Sequence, residues 1–403
     1  MSKKAIIILP GIMGSTIYAK SSFKIGSISL SKNDRVWDPP INIFTARHRV
    51  FSMKCDSEGK PLYDVGTLDP IVNNNIEPFR QYGGLNIYKK LYLRLCSTFN
   101  PEYDVILYEY DWRNDPYDTA VMLDRYIEEN GYDEIVFISH SVGGNVSSYY
   151  LTLGEDRLKK VKKHISVGAP YLGTEKLAYV YDTGDAVKYV VFGFNIVLPF
   201  IGNSIKSVMP NFPGIYSLLP IKTKFAPYLL EKRSHKKAEL KKDFPQTMHA
   251  LSTFLDKWNG SLYSLAVSHQ WLQFKNGVHV TKLVDSYSIV GDGIKTPEKL
   301  VIHEDFASRK RKTIKISSKF FDGDGMISLR SSLIGDEKPS KVLFKYKSKT
   351  VDAEHIEMIK GEDDGKTFDF ICDVISGSNV FSLPDDEFFR RYSGYKERRP
   401  VKN

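Results

Sequence analysis

One serine in the chain stands where a nucleophile could be made. Residues 135–144 read Ile-Val-Phe-Ile-Ser-His-Ser-Val-Gly-Gly, an apolar run followed at once by small residues. The run predicts a buried strand ending at Ser139, with a helix beginning just after Ser141. A nucleophile elbow needs this order, because a tight strand-to-helix turn holds its serine strained and exposed. The residues two before and two after must be small, since backbone crowds there; they are Ser139 and Gly143. The pattern is SxSxG where GxSxG is usual, and a serine-rich turn with Ser141 as a plain helix cap is the competing reading. The helix N-terminus behind Ser141 favours developing negative charge.

Acyl chemistry at such a serine needs two backbone N–H donors for an oxyanion. Val142, next to the serine, is one candidate. Pro10-Gly11-Ile12-Met13-Gly14 follows the first apolar run and makes Ile12 the other. A phosphate-binding loop is the alternative there, but the Lys of a P-loop and a GxGxxG are both missing. The chemistry also needs a carboxylate and then a histidine further along the chain. Carboxylates at predicted strand ends are Asp292, Asp322 and Asp324; downstream histidines are His164, His235, His249, His269, His279, His303 and His355. Asp324 precedes Gly325 on a loop after a strand, and His355 is expected on a loop following a strand at 341–347. Both suit side chains projecting over a sheet edge and are preferred. A plain Asp-Gly turn and a surface histidine are the alternatives.

These residues need a scaffold. Ala5–Leu9, 104–110, 134–138, 163–167 and 286–290 read as strands, with helical spacing over 85–95, 117–130 and 144–153. Such alternation predicts an α/β fold, a mostly parallel sheet with helices on both faces. Further strand pattern occurs near 315–321. Residues 15–80 read as an irregular, lid-like insertion and 175–280 as an apolar, proline-punctuated cap insertion within a single domain spanning 1–403. The stretch 376–403 reads as a basic C-terminal tail.

Composition narrows the classes. The 403 residues are 42% hydrophobic, enough for a large core, and 26% charged. Three cysteines without a CxxC pair exclude a disulfide scaffold and give no zinc or redox signature. No cofactor and no metal are expected. The net charge of +9 is localised: 222–243 carry eight Lys/Arg against three Asp/Glu, and 309–319 carry six Lys/Arg and no acid. The remainder is nearly neutral. No nucleic-acid motif accompanies these patches, so nucleic acid is not expected as a partner, whereas peripheral contact with an anionic membrane is. No stretch reaches the about 20 apolar residues of a membrane span. The N-terminus runs Met-Ser-Lys-Lys into five apolar residues, too few for a secretory leader, so a cytoplasmic location is expected.

Several segments together carry a family resemblance. They include Leu-Pro-Gly-Ile-Met-Gly-Ser at 9–15, Val-Trp-Asp-Pro at 36–39, Tyr-Asp-Trp-Arg at 110–113 and Ser-His-Ser-Val-Gly-Gly at 139–144. Gly-Ala-Pro-Tyr-Leu-Gly-Thr at 168–174, Ser-Leu-Leu-Pro at 217–220 and Val-Gly-Asp-Gly-Ile-Lys-Thr-Pro at 290–297 follow, then Asp-Gly-Asp-Gly at 322–325 and Glu-His-Ile-Glu-Met at 354–358. In this order they resemble the lecithin:cholesterol acyltransferase family of α/β-hydrolases. The resemblance implies Ser141 as nucleophile, Asp324 as triad acid, His355 as base, and Ile12 and Val142 as backbone oxyanion donors. It implies a lid around Trp37 near the active site and a lipid-receiving cap. Met13, Trp37, Phe192 and Phe194 are accordingly assigned to substrate and lid, and Arg113 to holding loops. Against the family, neither a signal peptide nor disulfides are expected in this chain, and its cap composition is its own. The expected function is a serine-dependent lipid acyl hydrolase or O-acyltransferase, with a lipid or acyl ester as partner. An esterase or thioesterase for soluble substrates is the alternative, and a non-catalytic membrane- or nucleic-acid-binding protein the distant one.

Overall fold

The computed structural model describes residues 2–38, 43–177, 204–220, 230–233, 258–292, 294–297, 300–304, 312–316, 320–335, 342–346, 354–361, 366–383 and 387. Among them, seven strands form the central sheet: β1 (Lys4–Leu9), β2 (Ile71–Val72), β3 (Asp104–Leu107), β4 (Glu134–His140), β5 (Val161–Val167), β6 (Ser286–Asp292) and β7 (Val342–Tyr346). Their order is β7-β6-β5-β4-β1-β3-β2. Neighbours run parallel except the short β2, which is antiparallel to β3 at the edge.

The near-continuous apolar runs follow from burial on both faces. Ala5, Ile7 and Leu9 of β1, with Ile135 and Phe137 of β4, enter one core. Ile6 and Ile8, with Val136 and Ile138, enter the other. Helices α2 (Pro116–Glu129) and α3 (Val142–Thr152) pack into the first core; α1 (Lys89–Phe99) and α4 (Lys366–Ile375) pack into the second. Helix α2 starts where its sequence says it should. Asp115 caps it by accepting from Tyr117 N at 2.8 Å, Pro116 sits at the first helical position, and Gly131 follows its end at φ 67°.

Two expectations are corrected. Residues 15–80 are less irregular than they read. They hold short strands Ile17–Ala19, Arg35–Trp37 and Val65–Gly66 in one small sheet, a hairpin Phe23–Ile25/Ile28–Leu30 and a helix Ile43–Ser52. Strands of two or three residues are too short to print a period on the sequence. The two described ends of the 315–321 segment belong to different sheets. Lys312–Ile316 pairs with Leu300–Glu304, and Phe320–Gly323 pairs separately with Ile294–Pro297. The apolar-basic run itself carries no mark of which partner each end takes.

Arg113 fixes the first insertion to the sheet. Its fully buried guanidinium is paired with Asp111 and donates to Met53 O at 2.7 Å and Val65 O at 3.0 Å. Among the described residues no helix is long and apolar enough to cross a membrane.

Candidate active site

Ser141 follows β4 directly and precedes α3. Its φ of 52° is a left-handed value that costs a non-glycine residue energy unless the surroundings enforce it. They do. Ser141 N–H donates to Val167 O at 2.9 Å, and Ser141 O accepts from Gly144 N at 2.8 Å. The glycines after it admit the close approach of α3 to its neighbours. A Cβ on Gly143 would lie 2.4 Å from Leu9 O, and one on Gly144 would lie 2.4 Å from Ala169 Cβ. The Ser141 side chain makes no cap hydrogen bond. Ser139, in place of the usual glycine, is fully buried and donates to Ser147 Oγ at 2.9 Å; Ser147 Oγ lies 2.8 Å from His164 Nε2. The extra hydroxyl is thus satisfied one helical turn into α3.

The loop after β1 runs alongside. Gly14 N–H closes a turn on Gly11 O at 3.0 Å, with Met13 at φ 60°. Gly11 lies close against the elbow, since an added Cβ would sit 2.8 Å from Ser141 Cβ. Val142 opens α3, where a backbone N–H has no partner within the helix.

Asp324 and His355 meet. His355 Nδ1 and Asp324 Oδ2 are 2.6 Å apart, and both residues are buried. The other carboxylate oxygen, Oδ1, accepts from Met326 N at 2.9 Å and Ile327 N at 2.6 Å, which fixes the acid's rotamer. Asp322 is exposed and Asp292 only partly buried. The pair rests on two glycines. A Cβ on Gly168 (φ 56°) would lie 2.9 Å from both Asp324 Oδ2 and His355 Nδ1, and one on Gly291 would lie 2.3 Å from Asp324 Cβ. His355 itself is not on a loop. It lies in the first turn of helix α5 (Glu354–Lys360), where the apolar Ile356, Met358 and Ile359 supply packing that a loop would lack.

Ser141, His140 and His355 border one cavity of roughly 730 Å³, open mouth included. Ile12, Ile87, Leu177, Leu218, Met326 and Ile356 give it an apolar wall. Leu177 and Leu218 come from the 175–280 stretch. Trp37 and Met13 do not border it. Both are buried, and Trp37 Nε1 donates to Met13 O at 2.8 Å while its ring meets Trp112 edge-on at 5.6 Å. Phe192, Phe194, most of the 222–243 and 309–319 basic segments and most of the 376–403 tail lie outside the described residues.

Two residues at the cavity were not singled out in the sequence, Tyr88 and His140. Tyr88 OH lies 2.9 Å from His140 Nδ1 and accepts from Gly11 N at 2.7 Å; His140 Nε2 lies 3.0 Å from His355 O. Burial, reinforced by the neighbouring His355, lowers the His140 pKa to about 3, so the ring is neutral. His140 was legible only as a letter inside the serine motif, and Tyr88 only as one apolar position of a helix.

A mostly parallel sheet with helices on both faces, a strained serine between strand and helix and a buried Asp–His pair beyond later strands define an α/β-hydrolase. The chain belongs to the lecithin:cholesterol acyltransferase family, whose model matches residues 81–288. At the level of that family it is a lipid acyl hydrolase or acyltransferase. In fold it is similar to a chain of the Tle4–Tli4 complex, with TM-score 0.57 and 14% identity over 96% of this chain and 100% of that one. Weaker similarities include the mature Bacillus licheniformis lipase BlEst2, with TM-score 0.36 and 12% identity over 92% of each chain. Another is the Legionella pneumophila phospholipase PlaB, with TM-score 0.35 and 12% identity over 76% of this chain and 59% of that one. No curated protein matches the chain in sequence.

Proposed function

We propose that the protein is a serine-dependent lipid acyl hydrolase or O-acyltransferase that works through an acyl-enzyme on Ser141. The observation that carries this reading is the buried His355–Asp324 pair, whose histidine borders the same apolar cavity as the strained Ser141. Ser141 Oγ attacks the acyl carbonyl and His355 Nε2 takes its proton. Asp324 holds Nδ1–H, fixes the tautomer and stabilises the imidazolium. The N–H groups of Ile12 and Val142 receive the oxyanion, and collapse expels the alcohol, protonated by His355. Water or a second alcohol then enters by the same route in reverse and releases the acyl group.

The apolar cavity wall suits an acyl chain, and its Leu177 and Leu218 support a cap role for 175–280. Within 15–80, Trp37 acts from behind the oxyanion loop, holding Met13 O, while the cap meets the substrate. A fluorophosphonate probe tests the nucleophile. Wild type is labelled, and Ser141→Ala is unlabelled and loses ester turnover by about 10⁴–10⁶-fold. Labelling that survives the substitution overturns the assignment. Lipid specificity is read with vesicles against short soluble esters; turnover of the soluble esters alone would favour a soluble-substrate esterase.

A further inference from the structure

The residue between the two serines is placed to do more than fill space. His355 O can only accept, so the His140 nitrogen facing it at 3.0 Å, Nε2, carries the ring's proton. The ring is neutral, so Nδ1 is an acceptor and takes the Tyr88 hydroxyl hydrogen at 2.9 Å. The Tyr88 oxygen in turn accepts from Gly11 N–H at 2.7 Å. All the polarities agree, and one continuous chain of donors runs from the loop after β1 to the main chain of His355. Its ends matter. Gly11 adjoins Ile12 and lies against Ser141, and His355 is the proposed base. The His140 and His355 rings are 4.9 Å apart between centroids.

We propose that His140 is a positioning residue for the acyl transfer: through Nε2–H it fixes the backbone of His355, and through Tyr88 it locks that base to the oxyanion loop. The inference rests on the Ser141–His355–Asp324 reading above. The physical reason is distance. His355 reaches the site on α5, beyond β7, and its side chain is held by Asp324 alone among the triad partners. A base displaced by about 1 Å loses about a hundredfold in rate, so a second restraint on its main chain acts on turnover rather than on binding. Neutrality is part of the design, because a charged ring at this distance would oppose the imidazolium that His355 must become.

The two ends of the ring can be separated. An asparagine amide reaches the position of Nδ1 and keeps a partner for Tyr88, whereas a glutamine amide reaches that of Nε2 and keeps a donor for His355 O. Hydrolysis of p-nitrophenyl octanoate by the full chain is measured for His140→Ala, His140→Asn and His140→Gln, with Tm recorded for each. Alanine and asparagine should lower kcat by about 10–100-fold with KM little changed, and glutamine should restore about tenfold of that loss. Equal kcat in the asparagine and glutamine variants, or a kcat loss that merely tracks Tm, overturns the role. If the His140 series does not fold, Tyr88→Phe tests the same relay from its other end. A fall in kcat at constant KM supports it, and an unchanged kcat overturns it. Ser141→Ala separates the two proposals. Turnover retained there overturns the triad and the positioning role with it. A dead Ser141→Ala beside a fully active His140→Asn overturns the positioning role alone.

Discussion

The two halves of the candidate site are built in opposite ways. Ser141 is held by residues near it in the chain and by the adjacent strand: β4 leads in, α3 leads out, and Gly143 and Gly144 let the helix sit against Leu9 and Ala169. Asp324 and His355 come from segments 31 positions apart and are brought together by contacts with Gly168, just past the end of β5, and Gly291 on β6. The first half is a local conformational trap, in which strain is enforced by neighbouring hydrogen bonds. The second is a tertiary meeting, in which two elements agree only because a third leaves room for them. Substitutions in the supports of the first half should therefore cost stability first, and substitutions in the second should cost activity first.

The sharpest break comes at the acid. Asp324→Asn keeps the size of the side chain but presents an amide to His355 Nδ1, which favours the wrong tautomer. Turnover should fall by about 10³–10⁴-fold with Tm nearly unchanged; a large fall in Tm would show that the acid half is structural in the way the elbow is. Next comes a pair of glycines. Gly168→Ala pushes a methyl group against Asp324 and His355 and should lower kcat by about 10²-fold, while its φ of 56° limits the accompanying stability loss to the backbone strain of about 1 kcal/mol. Gly143→Ala meets the Leu9 carbonyl and should appear chiefly as a stability loss of about 1–3 kcal/mol in urea unfolding. Similar profiles for the two variants would erase the distinction between the halves.

A third measurement is pH. Burial lowers His140 to about 3 and His164 to about 4, both from an ordinary 6.5. Below pH 6.5 the unfolded chain binds protons that the folded chain refuses, so stability is full above that pH and is lost as pH falls toward the folded values. Between pH 6.5 and 5 each of these histidines should remove about 2 kcal/mol of unfolding free energy. Replacing either by glutamine should flatten the slope. The smallest effect is expected at Ser139→Gly, which restores the usual motif. Activity should persist, and stability should fall by about 1 kcal/mol as the buried bond to Ser147 is lost.

Legibility followed the same division. The elbow could be read because its requirements are local: an apolar β-branched strand, small residues around the serine, and a helix start. Strands β1 and β4 were legible because burial on both faces leaves an unbroken apolar run. The motifs shared with the family, at 322–325 and 354–358, are what singled out Asp324 and His355. From spacing alone they could only be ranked among candidates, since spacing says nothing of which strand ends lie side by side. The segment at 315–321 misled for the same reason, as its two halves serve different sheets. Trp37 and Met13 suggested a lid by position, yet they bond to each other behind the loop after β1, with the Trp37 ring against Trp112.

The sequence by itself determined the α/β alternation, the strained serine and the glycine loop beside it, because periodicity, β-branching and missing Cβ atoms act over a few residues. Only the tertiary structure decided how Asp324 and His355 meet over Gly168 and Gly291, and that Tyr88 and His140 join the loop after β1 to the main chain of His355. Those contacts span tens to hundreds of positions, and a hydrogen bond between distant residues leaves no periodic trace in the chain that makes it.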